Sequence, residues 1–116
     1  MLTLDVASHP LQPDFPQYLV TYIFENPTSV LLHLEVHVES SEECAFAGLK
    51  MFHLGLLPFN TYEMKCIILP LKDDLVKLPR LTALDDDRKR LLEVLRSTDN
   101  LKVEGLDIFL RIPLSL

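Results

Sequence analysis

An uninterrupted alternation of apolar and polar residues runs through positions 32–39 and limits the folds open to this chain. A period of two does not suit an amphipathic helix, and a shift of register by one residue would bury imidazole and carboxylate groups. The segment therefore predicts a half-buried β-strand to which neighbouring strands must pair. Its two faces are Leu32, Leu34, Val36 and Val38 against His33, Glu35, His37 and Glu39.

A second alternating segment, residues 18–25, is rich in aromatic and β-branched side chains, which favour strands. Asn26, Pro27, Thr28 and Ser29 follow it and have the chemistry of a turn. We expect residues 18–25 and 32–39 to form an antiparallel hairpin.

Shorter extended segments, bounded by proline, glycine or polar turns, account for most of the rest of the chain. Pro79 interrupts one of them and should place that strand at a sheet edge. The predicted segments are residues 3–7, 44–48, 49–57, 62–69, 75–81 and 103–112.

The period changes only near residues 85–97, where we predict one short helix. Thr82 begins a capping pattern, and the acidic residues 85–87 would lie at the positive end of the helix dipole. The predicted apolar stripe contains Leu84, Leu91, Leu92 and Leu95, with Arg88 on the same side.

Short strands with proline-rich turns and one helix predict a mainly β fold, an immunoglobulin-like antiparallel β-sandwich. A length of 116 residues suits a single domain, residues 1–116, in which the helix at 85–97 is an insertion before a final strand at 103–112. Cys44 and Cys66 are expected to be free thiols, because no secretion signal precedes them.

Charge and hydropathy argue against two classes of protein, those that bind nucleic acid and those that span a membrane. With a net charge of −6, the chain lacks the clustered excess of Lys and Arg that nucleic-acid binding requires. No run of 18 apolar residues and no basic, then apolar, N-terminal leader is present, so we expect a cytosolic protein without a membrane span.

The sequence offers few groups for chemistry. His33, Glu35 and His37 share one strand face, but alternate residues lie about 7 Å apart, and a metal would need help from a neighbouring strand, for example from His53. A metal-dependent enzyme is therefore a third hypothesis, and a solvated face is the preferred interpretation. Neither cysteine has an evident base, and only three glycines are present, so we predict no catalytic residue, no metal and no cofactor.

Apolar side chains that the pattern leaves outside the core suggest a surface that binds protein. Unpaired sheet edges and the uncovered leucine stripe of the predicted helix would add to it. The candidate residues are Met51, Phe59, Leu91, Leu95 and Phe109.

Five short motifs between positions 18 and 81 resemble the C-terminal domain of the gryzun family, also called foie gras, whose members are subunits of TRAPP vesicle-tethering complexes. Two features depart from the family pattern: residues 72–74 lack the usual glycine, and the predicted helix is extra. The motifs are residues 18–26, residues 39–50, residues 56–58 with Glu63 and Met64, residues 69–71 and residues 78–81.

The resemblance implies a non-enzymatic β-sandwich that docks to other subunits of a trafficking complex at Golgi or early secretory membranes and supports Rab GTPase activation by those subunits. It also implies that the chain is an excised domain or a small divergent relative. The alternative is a free-standing cytosolic adaptor that binds peptides or cargo tails by strand addition.

Overall fold

The computed structural model describes residues 2–12, 15–85, 92–96 and 98–112, and this part of the chain contains eleven strands and no helix. The mainly β fold predicted from the sequence is thereby confirmed. The strands are Leu2–Gln12 (β1), Phe15–Glu25 (β2), Leu32–Glu39 (β3), Cys44–Ala47 (β4), Met51–Leu56 (β5), Thr61–Pro70 (β6), Leu75–Lys77 (β7), Arg80–Leu84 (β8), Leu92–Arg96 (β9), Leu101–Glu104 (β10) and Asp107–Arg111 (β11).

The strands form three sheets, with the orders β4-β6-β2-β1-β9, β5-β3-β8 and β10-β11-β7. Buried side chains from all three sheets join one hydrophobic core. The Cys44 thiol, on the five-stranded sheet, donates a hydrogen bond to the Lys77 carbonyl of β7 at 3.5 Å. The resulting molecule is elongated, about 50 × 22 × 22 Å.

Strand β3 lies at the centre of its sheet, between β5 and β8, as its alternation predicts. Leu34, Val36 and Val38 are buried in the core, whereas His33 and Glu39 are exposed. The predicted strand and its register are confirmed.

The predicted hairpin of β2 and β3 is wrong. Strand β2 pairs with β1 and β6, and β3 pairs with β5 and β8, so residues 26–31 connect two different sheets. The turn chemistry at Asn26 identified the turn correctly, but a turn does not determine which strands pair. Asn26 is completely buried, and its side-chain amide donates to the carbonyls of Val30, Leu56 and Leu57 at 2.8, 3.2 and 3.2 Å.

The predicted helix at 85–97 is also wrong where the structure describes it, because Leu92–Arg96 is strand β9. This strand pairs parallel with β1, opposite Leu2–Val6, so the sheet is not wholly antiparallel as predicted. Pairing with the edge of β1 overrides the helical spacing of the leucines, since tertiary contacts outweigh local propensity. Residues 86–91 and 97, Leu91 among them, lie outside the described part of the chain.

Two predicted single strands are each divided in two. Pro79 separates β7 from β8, which belong to different sheets, and both are edge strands, as the proline predicts. The predicted final strand, residues 103–112, is part of a hairpin of β10 and β11 that turns at Gly105, where φ is +62°. Glycine adopts this left-handed conformation without a Cβ penalty, which permits the tight turn.

An ion pair connects the two smaller sheets. Arg80 Nε of β8 donates to Asp107 Oδ1 of β11 at 2.9 Å, and Lys77 Nζ lies 3.8 Å from the same oxygen. The hydrogen bond from Arg80 and the two positive charges lower the pKa of Asp107, although partial desolvation opposes them.

Candidate interaction surface

The structure does not bring the predicted interaction residues together. Met51 and Phe59 are exposed near opposite ends of β5, while Leu95 is exposed on β9, at the far edge of the five-stranded sheet. Phe109 is half-buried on β11, in the third sheet. Met51, Leu95 and Phe109 therefore belong to three different sheets, Phe59 lies in the loop after β5, and Leu91 lies outside the described residues.

A continuous apolar patch, which we call the outer-face patch, lies instead on the solvent side of the five-stranded sheet. It consists of Leu19, Ala45, Ala47, Ile67 and Leu69. Directly paired residues share a face, and the register pairs Ile67 with both Leu19 and Ala47, and Leu69 with Ala45. Ile67 is 47% exposed and Leu69 is 36% exposed.

Sequence reasoning did not single out this patch, although a signal was present. Residues 66–69 are Cys-Ile-Ile-Leu, an apolar run in which alternation fails. In a strand, such a run places apolar side chains on both faces of the sheet, one in the core and the other toward a partner or solvent.

A mainly apolar groove of about 360 Å³ opens between β6 and β5. It forms because β4 pairs only with residues 67–70 of β6, leaving residues 61–66 without a described strand on that side. The chain leaves β4 at Gly48 and crosses to β5. The groove is lined by Tyr22, Val38, Phe46, Gly48, Leu49, Phe52, His53, Tyr62, Met64, Lys65, Cys66 and Pro79.

Two buried polar groups belong to the floor of this groove. Burial raises the pKa of the Cys66 thiol to about 11, with a further contribution from Cys44, so the thiol is protonated at neutral pH. Burial likewise raises the pKa of Tyr22 well above its usual value. The Tyr22 hydroxyl has no hydrogen-bond partner among the described residues.

The groove has one lysine, Lys65, and one histidine, His53, among its lining residues, and no carboxylate among the lining residues that the structure describes. Lys65 Nζ lies 3.5 Å from Glu63 Oε1. This ion pair is exposed to solvent and screened by dissolved salt, so it contributes little to the stability of the fold.

On the histidine-rich face of β3, His37 Nε2 lies 3.1 Å from Glu35 Oε2. His33 and His53 border a shallow depression that also includes Glu35 and Asp85. Within the described ranges, no group of three or more His, Cys, Asp or Glu side chains is placed to hold a metal ion.

Phe59 occupies a strained backbone conformation, and its replacement by glycine should stabilise the protein. Its φ is +57° and its side chain is 71% exposed, so little packing is lost. Relief of the left-handed strain should exceed the entropy cost of glycine and raise the free energy of unfolding by about 0.5–1 kcal/mol. Urea denaturation measures this change.

Leu57→Gly is the matched control for Phe59→Gly. Leu57 is 58% exposed in the same loop but is not in the left-handed region. Glycine there should destabilise by about 0.5–1 kcal/mol through entropy alone. Equal destabilisation by both variants would contradict the strain at Phe59.

Comparison with known proteins identifies a family for this chain. A search of curated proteins finds no significant match. In the part of the chain that the structure covers, no helix has the length and apolar character needed to cross a membrane. The family described as Gryzun-like: TRAPPC11 C-terminal domain matches residues 14–101, which enclose the motifs at 18–81 and make up well over half of the chain. The chain therefore belongs to the Gryzun-like TRAPPC11 C-terminal domain family.

Proposed function

We propose that residues 1–116 act as one non-enzymatic protein-interaction domain of a TRAPP-related tethering complex. The family match over residues 14–101 is the observation that carries this proposal. We also propose that the three sheets, which share one core, pack together as an immunoglobulin-like β-sandwich. The domain docks to other subunits of the complex, which activate a Rab GTPase during ER-to-Golgi or Golgi transport. Its location is the cytoplasmic side of Golgi or early secretory membranes.

The outer-face patch supports docking to another protein. Ile67 lies at its centre, paired with Leu19 on one side and Ala47 on the other, and is nearly half exposed. A contiguous exposed apolar patch is a feature that marks protein-interaction sites. We propose this patch as the main contact with a neighbouring subunit. Met51, Phe59, Leu95 and Phe109 are then secondary contacts, and Leu91 stays a candidate from the sequence alone.

The second candidate function is a free-standing adaptor that binds extended peptides by strand addition. The incomplete pairing of β6 by β4 favours it, because residues 61–66 offer an edge to an incoming strand. The two functions differ in the partner recovered from cells, either subunits of a tethering complex or unrelated peptide-bearing proteins.

Co-purification tests the proposed function. The untruncated protein, tagged in its own cells, should bring down subunits of a tethering complex. Ile67→Glu should reduce their recovery about tenfold or more, because a charge would be buried at the centre of the interface. Val30→Glu is the control, since Val30 is an exposed apolar residue, 61% accessible, in the loop between β2 and β3.

Three outcomes separate the candidates. Loss of tethering subunits with Ile67→Glu but not Val30→Glu supports docking through the outer-face patch. Equal recovery with both variants would contradict this surface but not membership of the complex. Recovery of other proteins in place of tethering subunits would contradict the proposed function and favour the adaptor.

A further inference from the structure

The edge of β6 presents backbone groups in a known register. In an antiparallel ladder, the N–H and C=O of one residue point to the same side, and successive residues alternate. Leu71 N donates to Glu43 O on the β4 side, and Asn26 N donates to Asn60 O on the β2 side. Odd-numbered residues of β6 therefore face the line of β4, so Glu63 and Lys65 direct their backbone groups to the edge that no described strand covers.

Side chains on this edge have equally defined directions. Met64 is half-buried beside the groove, and Lys65 and Glu63 project from the solvent face. A strand placed in line with β4 would oppose these residues in turn, and directly opposed residues share a face. Its residues opposite Met64 and Tyr62 would enter the groove, and those opposite Lys65 and Glu63 would face solvent.

The groove also specifies the chemistry of its occupant. Its walls are mainly apolar, and Lys65 places a positive charge at this edge of β6. This contrasts with a net charge of −6 for the whole chain. The buried Tyr22 hydroxyl lines the floor and has no hydrogen-bond partner among the described residues.

We propose that the edge of β6 at residues 61–66 binds an extended segment of a partner protein, which continues the line of β4 and carries the pattern acidic–apolar–any–apolar. The acidic residue lies opposite Lys65, and the two apolar residues enter the groove opposite Met64 and Tyr62. This inference rests on the proposed function only in that the partner is a protein.

A synthetic peptide tests this register directly. The probe is the peptide Ser-Asp-Leu-Ser-Leu-Ser, acetylated at its N-terminus and joined at its C-terminus, through an amide bond, to a fluorescein-labelled linker. Its binding to the 116-residue chain is followed by fluorescence anisotropy. N-methylation of its aspartate and second serine should weaken binding at least tenfold, because those amides would pair with Lys65 and Glu63. N-methylation of the first leucine is the control and should have little effect, since that amide points away from β6.

Charge reversal tests the contact with Lys65. Lys65→Glu should weaken binding of the aspartate peptide about twofold to fivefold and strengthen binding of a peptide with lysine in its place, as an exposed cross-strand ion pair does. Lys102→Glu is the matched control, because Lys102 is similarly exposed and also pairs with a glutamate, Glu104, at 3.0 Å, but lies on β10. It should leave both affinities unchanged.

Any of three results would contradict the inference: the peptide does not bind at millimolar concentration, all three N-methyl groups weaken binding equally, or Lys65→Glu leaves the preference for aspartate over lysine in the peptide unchanged. Concentration-dependent self-association that Lys65→Glu abolishes would show that the occupant is a second copy of this chain. Loss of peptide binding in a variant that still co-purifies with tethering subunits would leave the proposed function intact, so the two failures are distinguishable.

Discussion

Replacement of Asn26 by alanine is expected to lower the free energy of unfolding by about 2–4 kcal/mol, because several polar groups lose their partners together. The Asn26 amide donates to three carbonyls, and its oxygen accepts from the backbone N–H and the hydroxyl of Thr28 at 3.0 and 2.6 Å. At least one of these bonds, to Leu56, is buried from water. Urea denaturation followed by tyrosine fluorescence and far-UV circular dichroism measures the loss.

Two variants show whether the loss comes from the hydrogen bonds. Asn60→Ala removes an exposed asparagine that bonds to the Pro58 carbonyl at 2.8 Å, and should cost no more than about 0.5 kcal/mol. Asn26→Asp keeps the acceptor for Thr28 but loses the donors and buries a charge, so it should destabilise at least as much as alanine. A cost for Asn26→Ala close to that of Asn60→Ala would mean that this side chain does not hold the crossing between sheets.

The crossing at Asn26 also shows what local sequence can and cannot predict. Alternation predicted the strand at Leu32–Glu39 and its register, because a shift by one residue would bury charged groups. The same local signals did not predict its neighbours. The choice between a hairpin and a crossing depends on whether β1 and β6 already flank β2, which is a property of distant segments.

The leucine stripe failed as a predictor for a similar reason. Leucine is a good helix former, and spacing alone favoured a helix at 85–97. The edge of β1 instead offers backbone partners along five residues, and Val94 faces inward opposite Leu4. The turn at Gly105 was not predicted, because a single glycine within an alternating segment is compatible with a continuous strand. Its positive φ is known only from the structure.

The candidate sites were less accessible to sequence reasoning than the fold. The groove exists only because β4 ends at Ala47 while residues 61–66 of β6 extend beyond their pairing with it, and strand lengths are poorly defined by alternation. The outer-face patch had a sequence signal in the apolar run at residues 66–69, but its extent depends on β2 and β4 lying beside β6. Neighbours across a sheet are set by topology, and one strand does not encode them.

The last hairpin provides the second large prediction, a loss of about 2–5 kcal/mol when Leu110 is replaced by alanine. Leu110 is completely buried in the common core, and its removal leaves a cavity there. It lies beyond residue 101, where the family match ends. Its effect on unfolding therefore reports whether the hairpin of β10 and β11 belongs to the same cooperative unit as the matched residues.

Phe109→Ala is the matched control, because Phe109 is the adjacent residue on β11 and its side chain is only half-buried on the opposite face. It should cost about 1 kcal/mol or less, since little core packing is lost. If the 116 residues form one domain, Leu110→Ala shifts a single transition to lower urea with an unchanged m-value. Two transitions, of which only the weaker responds to Leu110→Ala, would show instead that the hairpin unfolds separately and that the domain ends near Leu101.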